Sequence, residues 1–340
     1  MLLPNIEWVM KVVGVSVIDA LFEKRPDRKA EGELSHRTVK NMLAGKGAPK
    51  PSTVDKFFEL AALKSDFGAS LRPMVKQSFQ TYPDSFGGPW YCFCGGAVAS
   101  TSVPTLEIRE IKRLVDVSYE LKPHLVDRNP KGLAQAINAL DLPMTGVTRR
   151  AVSRLETVND NSLEAMGRVL GVLSLSNLLY LLVCYYQGSD LVDRLVPSFA
   201  DNECQFPIAR WLEGMRAISG FSNDEQFGAA FFPGWKPENA AREIKRWRNG
   251  KIPSWKTIRG VARSARTRGF PEERVNDLYT EYATIKLLHG LNDCAAEMEA
   301  LGGGFSREAY FESLPELRRY AEARARLDTI GDADSDSKAG

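Results

Sequence analysis

The segment from Pro237 to Arg268 constrains the fold more than any other stretch of this sequence. It carries ten basic residues (Arg242, Lys245, Arg246, Arg248, Lys251, Lys256, Arg259, Arg263, Arg266 and Arg268) against two acidic ones (Glu238 and Glu243), a local balance of +8 in a 340-residue chain whose whole balance is +2. Ala240, Ile244 and Trp247 fall at helical spacing, so one helix face is apolar while Arg242, Lys245, Arg246 and Asn249 turn to solvent. Gly250 ends that helix, because glycine readily takes the left-handed backbone common just past a helix C-terminus. Lys251-Ile252-Pro253-Ser254 forms a short turn, and Ser254 is placed to cap a second helix through Thr257, Ile258, Val261 and Ala262.

The same pattern occurs earlier, from Ser35 to Ala61. Val39, Lys40, Met42, Gly45 and Lys46 answer Ile244, Lys245, Trp247, Gly250 and Lys251, and Pro51-Ser52 answers Pro253-Ser254 across a slightly longer turn. From Ser35 to Lys56 there are five basic residues (Arg37, Lys40, Lys46, Lys50 and Lys56) against Asp55, a balance of +4. A third, altered occurrence lies in the middle of the chain. Gly132 to Leu140 and Arg149 to Glu156 supply two helices, and Asn161-Ser162-Leu163 replaces the Pro-Ser turn. Val158 stands where the other two have glycine. A left-handed backbone is costly for a β-branched residue, so this helix is expected to end differently, at Asn159. Charge there is nearly balanced, with Arg149, Arg150, Arg154 and Arg168 against Glu156, Asp160 and Glu164.

Ile244, Trp247, Gly250, Pro253, Ser254, Thr257, Ile258 and Val261 together resemble the lambda-repressor-like (XRE-type) helix-turn-helix proteins, whose usual text is TI..W..G..PS..TL..LA. The resemblance implies an all-α fold of three tandem, divergent helix-turn-helix units. It divides the chain into unit one (1–82), a Gly, Ser and aromatic-rich loop or linker (83–104), a degenerate unit two (105–187), a linker (188–207), a basic unit three (208–300), a C-terminal helix (301–327) and an acidic, disordered tail (328–340). It also implies that each basic helix enters a major groove of double-stranded DNA. His36, Arg37, Lys40, Asn41, Asn239, Arg242, Lys245 and Arg246 would then approach base edges, while Lys46, Lys50, Arg248, Lys251 and Lys256 meet phosphates. Fused units can read several half-sites without a dimer interface. The 105–187 unit, with its weak charge, is expected to be structural or to face protein partners.

The rest of the sequence narrows the alternatives. Five scattered cysteines (Cys92, Cys94, Cys184, Cys204 and Cys294) indicate a reducing compartment, and Met1-Leu2-Leu3-Pro4 lacks the basic start of a signal peptide. The expected location is the cytoplasm, with the nucleoid. Cys92-Phe93-Cys94 has the wrong spacing for a zinc site. The apolar run from Val169 to Tyr186 is interrupted by Ser174, Ser176 and Asn177, which predicts a buried helix pair rather than a membrane span. Phosphate-loop, HExxH and GxSxG motifs are all missing, so neither an enzyme nor a cofactor is expected. Two rivals to duplex binding remain: a helical scaffold that holds protein partners without touching DNA, and an RNA-binding component.

Overall fold

The computed structural model describes residues 105–158, 162–200, 203–232 and 234–336, together with Leu2, Leu3, Ser35, Arg37, Thr38, Lys50, Ser52 and Thr53. The described chain is predominantly helical, as an all-α fold requires. It forms two compact units, one containing 105–187 and 295–336, the other 188–294. His36, Lys40, Asn41, Lys46, the two cysteines at 92 and 94 and the aromatic 83–104 segment lie outside the described residues.

The first unit begins with α1 (Leu106–Glu120), α2 (Lys122–Val126), α3 (Pro130–Ala139) and α4 (Gly146–Thr157). The Asn129 side chain caps α3, and Thr145 and Thr148 form a reciprocal capping box at the start of α4. Leu133, Ala134 and Ile137 of α3 and Val147, Val152 and Leu155 of α4 are buried. Helix α4 ends at Thr157. Val158 is extended (φ −71°, ψ 125°), so the chain leaves the helix at the valine itself and needs no left-handed residue.

The expected helix pair is one continuous helix, α5 (Leu163–Tyr185), capped by Ser162. Ser174, Ser176 and Asn177 are buried within it rather than marking a break. The Asn177 amide donates to the Leu2 carbonyl (2.7 Å), while the Leu2 N–H donates to Ser118 Oγ (3.0 Å). A partner far away in sequence thus satisfies the Asn177 amide, which local pattern reads as a helix breaker. By length and composition α5 could cross a membrane, but 72% of its most apolar window is buried inside the protein.

The second unit opens with α6 (Leu191–Leu195) and a two-stranded antiparallel hairpin, β1 (Ser198–Ala200) with β2 (Glu203–Gln205), in a stretch expected to be a plain connection. Four helices follow: α7 (Pro207–Ser219), α8 (Asp224–Phe231), α9 (Pro237–Arg248) and α10 (Trp255–Thr267). Gly220 ends α7 in the left-handed conformation, and Asn223 caps α8. Trp211, Leu212 and Met215 are buried on α7, whereas Ile218 is exposed.

Helix α11 (Glu272–Ala300) belongs to the second unit through Cys294 and to the first from Ala295. Gly302, Gly303 and Gly304 follow it with positive φ. The expected single C-terminal helix is two, α12 (Arg307–Glu312) and α13 (Leu314–Asp336), meeting at Ser313. Helix α13 runs past Leu327 into the stretch expected to be a disordered tail.

Candidate nucleic-acid interface

Helix α9 sits on three side chains. Ala240, Ile244 and Trp247 are buried to within 1% of full enclosure, so everything else on the helix is displaced outward. Its closest neighbour is α8. A Cβ on Gly228 would lie 2.8 Å from the Ala240 Cβ and 3.4 Å from Ile244 Cδ1, so the absence of a side chain at Gly228 sets how closely the two helices pack. The Trp247 ring meets Phe232 edge-on at 5.5 Å, and its indole N–H donates to Glu243 Oε1 (3.3 Å).

The turn after α9 is held equally firmly. Gly250 has φ 89°. The Phe206 ring lies 3.0 Å from where a Cβ would project, so the position excludes larger residues on conformation and on space. Ser254 caps α10 by accepting the Thr257 N–H (3.2 Å), and the Tyr282 hydroxyl donates to the Pro253 carbonyl, tying the turn to α11. Ile258, Val261, Ala262 and Ala265 form the buried stripe of α10.

On this frame Asn239, Arg242, Lys245 and Arg246 are exposed on α9. Arg242 and Lys245 have no acidic partner among the described residues. Arg246 lies 3.2 Å and Lys251 2.6 Å from Glu243, so one carboxylate organises two of the expected contact residues. Partial burial acts to raise the Glu243 pKa, but hydrogen bonds from Lys251, Arg246 and Trp247 outweigh it and hold the carboxyl below its usual range. Lys256 is exposed and, among the described residues, unpaired with any acid.

Arg248 differs from its neighbours. Its guanidinium is half-buried and bonds both oxygens of Asp224 at 2.8 and 3.0 Å, with Glu213 at 3.7 Å. The fork expected to meet a phosphate is therefore engaged inside the protein. The hydrogen bond from Arg248 holds Asp224 below the ordinary carboxylate range despite some burial. In sequence only Glu238 and Glu243 weigh against the basic run; Asp224 comes from α8 and is invisible to that count.

Of the earlier basic segment, Arg37 and Lys50 are described, and both are exposed. Arg37 and Thr38 are helical, and the Thr38 N–H donates to Ser35 Oγ (3.0 Å), a cap at the start of the helix. In the 105–187 segment, expected from its sequence to be a third copy, α4 occupies the position expected to answer α9. There Glu316 of α13 accepts the Gly146 N–H (3.1 Å) and pairs with Arg149 (2.8 Å). A protein carboxylate thus lies at the first turn of α4, where the helix N-terminus favours an anion. Three further cations on α10, Arg259, Arg263 and Arg266, are exposed and lie outside the expected contact set, although their spacing in the sequence places them on one helix face. No family model, curated protein or solved structure matches the chain.

Proposed function

We propose that the chain is a sequence-specific, double-stranded DNA-binding protein, acting as a transcriptional regulator or as the site-recognition subunit of a nucleoprotein complex. The observation that supports this most is the outward face of α9. Asn239, Arg242, Lys245 and Arg246 project from a helix whose inner face is locked by Ala240, Ile244 and Trp247 and whose following turn is pinned at Gly250 and Pro253. A rigid helix with a short row of donors suits major-groove reading: arginine can bond guanine O6 and N7 together, and Asn239 can pair with adenine. Lys251 and Lys256, at the turn and the start of α10, suit phosphate contacts that fix register. Arg37 and Lys50 suit the same roles at the earlier basic segment.

The 105–187 unit reads differently. With Glu316 at the start of α4, it is better suited to structural or protein contact than to a groove. The functional reading implies residence with the chromosome in the cytoplasm. To test it, purified protein is mixed with fragmented genomic DNA and the retained fragments are sequenced. The expected result is enrichment of a shared motif, with affinity falling linearly in log salt. Retention of no duplex at low salt would favour the scaffold, and displacement of duplex by RNA would favour the RNA-binding alternative.

A further inference from the structure

Helix α10 carries a second basic surface, separate from α9. Lys256, Arg259, Arg263 and Arg266 are exposed and recur at intervals of three, four and three residues, so they form one stripe. Two hollows flank it. The larger, about 730 Å³, sets Phe232 and Trp235 against Lys256, Arg263 and Arg268. The smaller, about 470 Å³, is lined by Trp255, Arg259, Arg263, Arg266 and Tyr279. Arg263 lines both, and no residue of α9 lines either.

Each hollow holds a tryptophan at the surface. Trp235 is 46% and Trp255 41% exposed. Neither ring is loose: Trp235 stacks on Phe232 (5.0 Å, 29°), and Trp255 stacks on Tyr279 (6.2 Å, 28°) and meets Tyr282 edge-on at 4.6 Å. Large aromatic rings half in water and pinned by a second ring lose little freedom when a further planar group stacks on them. Along the stripe, Arg266 bonds Glu272 (2.8 Å), while Lys256, Arg259 and Arg263 have no acidic partner among the described residues.

We propose that this face binds a single strand of DNA, its phosphates following Lys256, Arg259 and Arg263 and its bases stacking on Trp235 and Trp255. A stripe of cations with an aromatic face on either side matches a strand whose backbone carries phosphates and whose planar bases splay from it. A duplex offers the phosphates but keeps its base faces stacked inside, and an acidic peptide offers charge without planar faces. The hydroxyls beside the larger hollow are already engaged: Ser264 donates to the Phe231 carbonyl (3.2 Å), Thr267 donates to the Arg263 carbonyl (3.0 Å), and Thr257 shares a hydrogen bond with Ser254 (2.9 Å). Ser264 and Thr267 therefore spend their protons inside the protein and donate none to a ribose 2′-OH at the larger hollow. Lys256 is common to this face and to the proposed duplex contact, whereas Arg259, Arg263, Trp235 and Trp255 belong to this face alone, so the inference does not depend on duplex binding by α9.

The test uses the full chain and a labelled oligothymidylate of about 15 nucleotides, followed by anisotropy and by quenching of tryptophan emission. Oligothymidylate is expected to bind and to quench. Trp235→Ala and Trp255→Ala should each weaken it about tenfold, with duplex retention unchanged, and Trp235→Phe and Trp255→Phe should preserve most of the affinity. Arg259→Gln with Arg263→Gln, both at exposed positions that leave the core intact, should lower the log–log salt slope by about 1.4. Four results would overturn the proposal: no binding at low salt; binding indifferent to all of these changes; equal loss on replacing Arg242, Lys245 and Arg246 in α9; or oligouridylate binding more than tenfold tighter than oligothymidylate.

Discussion

The Arg248 guanidinium grips the Asp224 carboxylate with two nitrogens, Nε at 3.0 Å and Nη2 at 2.8 Å, and so fastens the last turn of α9 to the first turn of α8. Both side chains are about one quarter exposed, and Arg216 approaches the same carboxylate at 3.4 Å. An ion pair with this geometry stabilises by about 1 kcal/mol. Asp224→Asn should therefore cost about that much at pH 7. Because the folded protein holds the Asp224 pKa below its usual value, the stabilisation is full above the ordinary carboxylate pKa of about 4 and fades as pH falls through the lower folded value. Urea midpoints of the two proteins should differ at pH 7 and converge near pH 2; a constant gap across that range would contradict the assignment.

Gly228 sets the spacing of α8 and α9. An added methyl would sit 2.8 Å from the Ala240 Cβ, inside any real contact. Alanine favours a helix interior over glycine by about 1 kcal/mol, but overpacking costs about 1 to 3 kcal/mol. Gly228→Ala is expected to lower the melting temperature and, by tilting α9, to weaken duplex binding as well. Gly214 of α7 provides the comparison, since a Cβ there meets nothing within 4 Å. Gly214→Ala should stabilise by about 0.5 to 1 kcal/mol.

Glu316 links α13 to the start of α4 through Gly146 and Arg149. Glu316→Ala removes a charged acceptor from a helix N-terminus and should cost about 1 kcal/mol. If the 105–187 unit is structural, duplex affinity should stay within about twofold, since none of its residues then meets a phosphate. A gain of tenfold or more in duplex retention would instead mean that Glu316 masks a working groove-binding helix.

What the sequence made legible was local. The burial of Ala240, Ile244 and Trp247, the left-handed Gly250 and the cap at Ser254 all depend on residues within a few positions of one another. The misreadings were non-local. Asn177 looks like a helix start until the Leu2 carbonyl is seen to accept its amide proton. Arg248 looks like a free cation until Asp224, 24 residues earlier, closes on it. The α10 stripe was present in sequence as spacing, but its hollows were not, because Trp235 reaches one from before α9 and Tyr279 reaches the other from α11.

Whether the outer face of α9 reads duplex DNA is decided by anisotropy on the duplex recovered by genomic selection. The wild-type chain is compared with a Arg242→Ala, Lys245→Ala, Arg246→Ala variant whose fold is verified by circular dichroism. All three residues are exposed, so stability should hold. Each base-edge contact is worth about 1 to 3 kcal/mol, so groove reading by α9 requires a loss of affinity of about 100-fold or more and equal, weak binding to selected and scrambled duplexes. A folded variant that binds the selected duplex within about threefold of wild type would contradict it.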